Sequence, residues 1–133
     1  HEGRQVYVSL SGENKVAIIA VATRQVIGKV DVGRSPIQVY ATSDGKTMYV
    51  ANQGNEKAWD DRVSVIDIAS GKVFATVTTG PGAHGVVVDS SGKTAFVTNI
   101  DAGTVSAIDT STQQVTSTFK VGAGPNGISY RRK

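Results

Sequence analysis

Apolar and small or polar residues alternate along most of this chain in short runs separated by Gly, Ser, Asp and Asn. Period-2 alternation is what a strand packed on one face requires, because successive side chains point to opposite sides of a sheet. The runs are rich in Val, Ile, Thr, Phe and Tyr, the residues that suit a pleated, half-buried surface. No stretch carries the spacing of an amphipathic helix, so the pattern predicts an all-β chain.

The runs repeat. QVYVS (5–9), TMYVAN (47–52) and TAFVTN (94–99) are three versions of one line. KVAIIAV (15–21), RVSVIDI (62–68) and TVSAIDT (104–110) are a second. QVIGKVDVG (25–33), KVFATVTTG (72–80) and QVTSTFKVG (114–122) are a third. PIQVYAT (36–42), AHGVVVD (83–89) and PNGISY (125–130) are a fourth. Val26, Val73 and Val115 are equivalent, as are Gly33, Gly80 and Gly122, and Pro36, Ala83 and Pro125. The step from Val26 to Val73 is 47 residues and from Val73 to Val115 is 42. One insertion accounts for the difference, since residues 53–62 are ten where the corresponding loop 100–104 is five. Turn chemistry joins the runs. Ser43-Asp44-Gly45-Lys46 and Ser90-Ser91-Gly92-Lys93 read as tight hairpins with Gly at the positive-φ position. Ala69-Ser70-Gly71 and Thr110-Ser111-Thr112 form the second hairpin of each unit.

Four strands per repeat of this length is the unit of a propeller blade. The lines YVANQG (49–54), FVTNID (96–101), VSVIDIASGKVFATV (63–77) and VSAIDTSTQQVTSTF (105–119) resemble YVTN-family β-propeller repeats across nearly the whole chain. The first repeat departs from the pattern: Leu10 stands where Asn52 and Asn99 stand, and Ala20 where Asp67 and Asp109 stand. The resemblance implies an extracytoplasmic propeller, periplasmic, cell-surface or secreted, similar to surface-layer proteins and to the propeller domains of periplasmic haem nitrite reductases and amine dehydrogenases. It also names the strands of a blade A to D outward from the axis, with PIQVYAT, AHGVVVD and PNGISY as A strands. The expected architecture is therefore one segment, 1–133, of three four-stranded antiparallel blades. They cover about 5–33 (completed by a strand such as 127–130 of a partner, or by a missing part of a longer chain), 36–80 and 83–122. This is half a propeller. Propellers have 4–8 blades, and three do not curl far enough to bring 127–130 beside 5–9 of the same chain. Closure as a six-bladed ring by head-to-tail homodimerisation is one expectation. Remaining blades on a longer polypeptide is the other, and the start at His1 rather than Met suits a mature, trimmed or fragmentary chain.

Composition adds limits. Hydrophobic residues at 39% and charged residues at 19% describe an ordinary globular chain rather than a disordered one. No apolar run approaches the length of a membrane-spanning helix. The absence of cysteine excludes disulfides, thiol catalysis, thiolate metal sites and covalent c-type haem. A formal charge of +3, with one basic cluster at Arg131-Arg132-Lys133, makes nucleic-acid contact a weak reading beside a solvated tail.

In this topology the D–A and B–C loops share the face that holds the mouth of the central channel. The candidate binding residues on it are Arg34, Trp59, Asp60, Asp61, His84 and Asn126. His84 is the sole interior histidine: as a metal or haem ligand or an acid–base group it would serve a cofactor, and as a loop histidine it would only hydrogen-bond. Trp59 offers a flat apolar platform or a cover for a blade edge. Asp60 with Asp61 could bind a cation such as Ca²⁺, or simply be solvated. Arg34 could meet an anionic ligand. Asp67 and Asp109 are expected to hold the turns that follow them. There is no Gly-x-Ser-x-Gly elbow and no phosphate loop, and Gly122-Ala123-Gly124 precedes a strand rather than a helix, so it is no dinucleotide motif. No cofactor is specified. The reading is a binding or surface-building scaffold. The alternative is an enzyme or redox domain holding a metal, haem or small substrate at the channel mouth.

Overall fold

The computed structural model describes residues 3–131. Thirteen strands run in chain order: β1 Gln5–Leu10, β2 Lys15–Ala20, β3 Gln25–Asp31, β4 Pro36–Ala41, β5 Thr47–Asn52, β6 Gly54–Asn55, β7 Ala58–Trp59, β8 Arg62–Asp67, β9 Lys72–Thr78, β10 Ala83–Val88, β11 Thr94–Asn99, β12 Thr104–Asp109 and β13 Gln114–Lys120. They form antiparallel meanders in the order β1-β2-β3, β4-β5-β8-β9 and β10-β11-β12-β13, with β6-β7 as a separate hairpin inside the insertion. These are the three blades, an open arc rather than a ring. Among the described residues there is no helix, and so none long and apolar enough to cross a membrane.

The repeat extends to irregularities. Each third-to-fourth strand pairing slips at the same place, between Ile18 and Ile19, Val65 and Ile66, and Ala107 and Ile108. Both first-to-second pairings slip near their start, after Pro36 and after Ala83. A bulge at one register position in each unit bends and twists each blade alike. Asp67 accepts from Ser70 N–H at 2.7 Å, and Asp109 from Ser111 and Thr112 N–H at 2.8 and 3.0 Å, so both hold their turns as expected. Hydroxyl bonds from Ser70 and Ser111, together with those backbone bonds, keep both carboxyls below the ordinary carboxylate range.

Blades pack face to face, and strand alternation assigns each side chain to one neighbour. From β5, Met48 and Val50 join Val16, Val30 and Ile66 in the junction between the first and second blades. Tyr49 and Ala51 point the other way and join Val63, Val65, Val77, Val86, Val97 and Ile108 between the second and third. The middle blade is therefore buried on both sides, and its β5 reads as five buried residues in six. In the third blade burial falls from the first strand to the last: β10 is buried at five of six positions and β13 at none.

Two features tie blades together beyond apolar packing. The Gln38 side chain on β4 reaches β10, donating to Val86 O at 3.1 Å and accepting from Val86 N–H at 3.3 Å. One amide thus does for two adjacent blades what a ladder would otherwise do. The glycine that leaves each blade lies flat on an asparagine of the next. A Cβ on Gly33 would stand 2.6 Å from Asn52 Cγ, and one on Gly80 3.0 Å from Asn99 Cγ. The asparagines are fully buried and donate across their own blades, Asn52 to Arg62 O and Ser64 Oγ, Asn99 to Thr104 Oγ1 and Ser106 Oγ.

One expected strand differs. Residues 125–130 form no ladder. Their placement is nonetheless definite. Asn126 O accepts from Thr98 Oγ1 at 3.2 Å, just as Ile37 O accepts from Ser9 Oγ at 2.6 Å. Ser9 and Thr98 are register equivalents, and so are Ile37 and Asn126. A Cβ on Gly85 would meet Asn126 O at 2.6 Å and Ile128 at 3.2 Å. The segment thus lies beside β10 as β10 lies beside β4. It is no strand because no backbone runs along its other edge.

Candidate functional site

The site lies at the blade ends that carry the exit glycines. The insertion begins with Gly54, whose φ of 69° and closeness to the 58–60 backbone, 2.3 Å from its would-be Cβ, leave no room for a side chain. Asn55 Oδ1 then accepts from Lys57 and Ala58 N–H at 3.1 and 3.2 Å, which turns the chain back and creates the β6–β7 hairpin. The hairpin docks on the loop between the first two blades: Gln53 N–H donates to Ser35 O and Gly54 N–H to Arg34 O. On its other side Asp60 O accepts from Gly82 N–H at 2.9 Å and Ala83 N–H at 3.3 Å. Three loops are thereby fused into one surface.

Asp60 is the centre of that surface and does not face solvent. It is 1% exposed. Its Oδ2 accepts from Arg34 N–H and Arg62 Nη2, both at 2.9 Å, and its Oδ1 from Arg62 Nε at 2.8 Å and Arg62 N–H at 3.1 Å. Burial alone would raise this carboxyl, but the bonds from Arg62 and from the Arg34 backbone outweigh it and hold the group below the usual carboxylate range. A buried carboxylate is stable only when paired and hydrogen-bonded in this way. Asp61 contributes its carbonyl, which accepts from Thr79 N–H at 2.7 Å and Thr79 Oγ1 at 3.1 Å. The two aspartates therefore differ in role: Asp60 orders three loops, and Asp61 continues the β8–β9 pairing.

Arg34, half-exposed, spans the hairpin end, with Nη2 donating to Trp59 O at 3.1 Å and Nε 3.9 Å from Asp60 Oδ2. Trp59 is half-buried, and its Cε3 lies 3.3 Å from where a Cβ of Gly82 would stand. His84 follows on β10, with Nδ1 3.2 Å from Asn126 O. Since a carbonyl can only accept, Nδ1 is the donor in this contact. Arg34, Trp59 and Asp60 thus sit together, and the residues Asp60 holds, Gly82 and Ala83, lead directly to His84 and Asn126. Among the described residues no group of three His, Cys, Asp or Glu side chains gathers as a metal site.

A cleft of about 280 Å³ opens beside this surface, lined by Arg34, Arg62, Asn52, Ser64, Asp31 and Thr76. Arg62 lies inside the insertion, and sequence pattern does not separate it from its neighbours. Its position two residues from Asp60, with opposite charge, is the signal that could have marked the pair. Gln38 and Thr98 gave no signal, since each looks like an ordinary polar strand residue.

The model of the YNCE-like beta-propeller family matches residues 1–133. Among solved structures, Kuenenia stuttgartiensis hydrazine synthase is similar at 26% identity and a TM-score of 0.86, the match covering 95% of this chain and 35% of that one. The chain thus spans about a third of the length of that protein. No curated protein matches.

Proposed function

The chain belongs to the YNCE-like beta-propeller family, and from that premise we propose that it is a non-catalytic interaction module of a propeller working outside the cytoplasm. Its binding surface is the fused loop face of Arg34, Trp59 and His84. The observation that carries this reading is the use of Asp60: the one buried carboxylate among the described residues is spent on fastening three loops rather than left poised for chemistry. What results is a rigid platform presenting a cation, a flat ring and an imidazole, a combination suited to recognition on a scaffold. Placement outside the cytoplasm rests on the likeness of the repeats to those of extracytoplasmic propellers.

Peptide and glycan arrays probed with the wild type and with an Arg34→Ala/His84→Ala variant test this. Binding that disappears in a variant of unchanged melting temperature supports the proposal. Equal binding by both proteins, or none by either, overturns it.

One observation favours a second reading. The Asn126 carbonyl engages His84 Nδ1 and leaves Nε2 directed away from that hydrogen bond, the arrangement in which a metal or haem iron would meet the ring. Hemin titration separates the two: a Soret band that shifts with the wild type and not with His84→Ala would favour the redox domain over the interaction module.

A further inference from the structure

The two blade junctions share one buried cradle, and only the first of them carries charge. At each, an asparagine donates to a serine on the next strand of its own blade and lies beneath the exit glycine of the blade before. At each, the asparagine Oδ1 is buried and accepts no hydrogen bond among the described residues. Around Asn99 the register places Thr78, Pro81 and Thr104. Around Asn52 the same positions hold Asp31, Arg34 and Arg62, and these three line the cleft of about 280 Å³ together with Asn52, Ser64 and Thr76. All of that lining lies between residues 31 and 76, inside the junction and away from the outer faces of the arc. Charge added at one copy of a repeated cradle separates a ligand pocket from a piece of architecture.

The uncommitted groups define what the cleft can take. Asn52 Nδ2 donates to Arg62 O at 2.9 Å. A carbonyl can only accept, so the amide cannot be turned round, and Oδ1 stays the unmet acceptor. Buried polar atoms are nearly always hydrogen-bonded, so this one calls for a donor from outside the chain. Ser64 Oγ accepts from Asn52 Nδ2 at 3.0 Å and from Gly33 N–H at 3.3 Å, which leaves its own proton to give. Arg62 commits Nε and Nη2 to Asp60, and Arg34 commits Nη2 to Trp59 O, so Nη1 of both is uncommitted among the described residues. The two arginine side chains are about half-exposed, whereas Asn52 and Ser64 are buried. The cleft therefore offers donors on its walls and one acceptor at its floor.

We propose that this cleft binds a short carboxylic acid carrying a hydroxyl or ammonium group on its α-carbon. The two guanidiniums and the Ser64 hydroxyl meet the carboxylate, through charge-assisted bonds about twice as strong as neutral ones. Asn52 Oδ1 meets the donor on the α-carbon. Asp31, which lines the cleft and is ion-paired with Lys15, gives an ammonium a second acceptor. A volume just below that of drug-sized pockets suits so small a molecule. This site is independent of the loop face, although Arg34 borders both.

Amide nuclear magnetic resonance of the isotope-labelled chain, titrated with acetate, glycolate and glycine, tests it. Saturable shifts are expected at Gly33, Ser64 and the Asn52 side-chain amide, and none at Gly80, Ser106 and Asn99 of the uncharged cradle. Glycolate or glycine should bind about tenfold more tightly than acetate, which leaves Asn52 Oδ1 unmet. Glycine ahead of glycolate assigns the donor to an ammonium facing Asp31, and the reverse order assigns it to a hydroxyl. Thr76→Glu changes an exposed position on the cleft wall and leaves Arg34, Trp59 and His84 in place. It should weaken glycolate by at least about tenfold through like charge, while array binding by the loop face and the rest of the amide spectrum persist. No saturable shift, equal affinity for acetate, equal shifts at Asn99, or undiminished glycolate binding by Thr76→Glu would each overturn the proposal.

Discussion

The two blade junctions are built from the same repeat and close differently. Between the second and third blades Tyr49 is fully buried, and its hydroxyl donates to Gln113 Oε1 at 3.0 Å. Between the first and second, the equivalent Tyr7 is half-buried and its hydroxyl donates to Gln5 of its own strand. The difference lies in the residue each ring meets across the junction. Gln113 occupies the positive-φ position of the β12–β13 turn, with φ 57°, and Gly71 the same position of the β8–β9 turn, with φ 66°. Glycine brings no side chain to the ring. An open cleft of about 520 Å³ remains there, lined by Arg4, Gln5, Tyr7, Thr42, Met48 and Ile68. At the opposite end the insertion adds a second fastening, because Asp60 O holds Gly82 and Ala83 to the second blade. The same aromatic in the same register is thus core on one side and cleft wall on the other. A turn residue in the neighbouring blade decides which.

Asp60→Ala should break this arrangement most. It removes the carboxylate from two arginine contacts and from the Arg34 N–H, and loss of one member of such a pair costs about 3 kcal/mol. Urea unfolding should show that loss, with Asp61→Asn, in the same loop, shifting stability by less than about 0.5 kcal/mol. The same group makes a pH prediction. Its folded-state pKa is depressed, so its contribution is complete above the ordinary carboxylate value of about 3.9 and disappears as pH falls through the folded-state value. The wild type should therefore lose more stability than Asp60→Asn between pH 6 and pH 3 (both values chosen to bracket the carboxylate range, roughly as linkage requires).

The sequence alone carried the blades, because strand alternation and turn glycines are local and occur three times in register. It could not rank Asp60 above Asp61. Two adjacent aspartates look alike until the fold sets one against Arg62 and a backbone N–H from 26 residues earlier. The hairpin in residues 53–62 escapes the strand alternation, although Gly54-Asn55 is a turn signal. Residues 125–130 had a strand's pattern, but a strand is a relation between two backbones, and one of them is not in this chain's arc. Of the candidate residues, Arg34, Trp59 and Asp60 do meet, as loops on one face would. The Gln38 bridge was invisible because a polar residue in a strand usually means an exposed position.

Smaller effects sharpen the contrast between junctions. Tyr49→Phe removes a buried hydrogen bond and should cost about 1 kcal/mol, whereas Tyr7→Phe should be close to neutral, both read by thermal or urea unfolding. The smallest net change comes from giving the first junction the partner of the second. Gly71→Gln loses the glycine's ease at positive φ, about 1 kcal/mol, and gains a hydrogen bond of about the same size. Stability should then barely move while Tyr7 becomes harder to nitrate than in the wild type. Unchanged nitration of Tyr7 would mean that something other than the turn residue keeps the first cleft open.

The exit glycine and the asparagine beneath it bear on how such an array grows. Gly33 belongs by its strands to one blade and by its contact to the next, and Gly80 repeats this. A duplication cut between blades would part each glycine from its asparagine and rejoin it to whatever lay in the new neighbour. A cut between the third and fourth strands of a blade would carry the matched pair intact. The heritable module is therefore offset from the visible one, and grafting or shuffling of these blades should succeed when the seam is placed at the turns 68–71 or 110–113 rather than at the linkers.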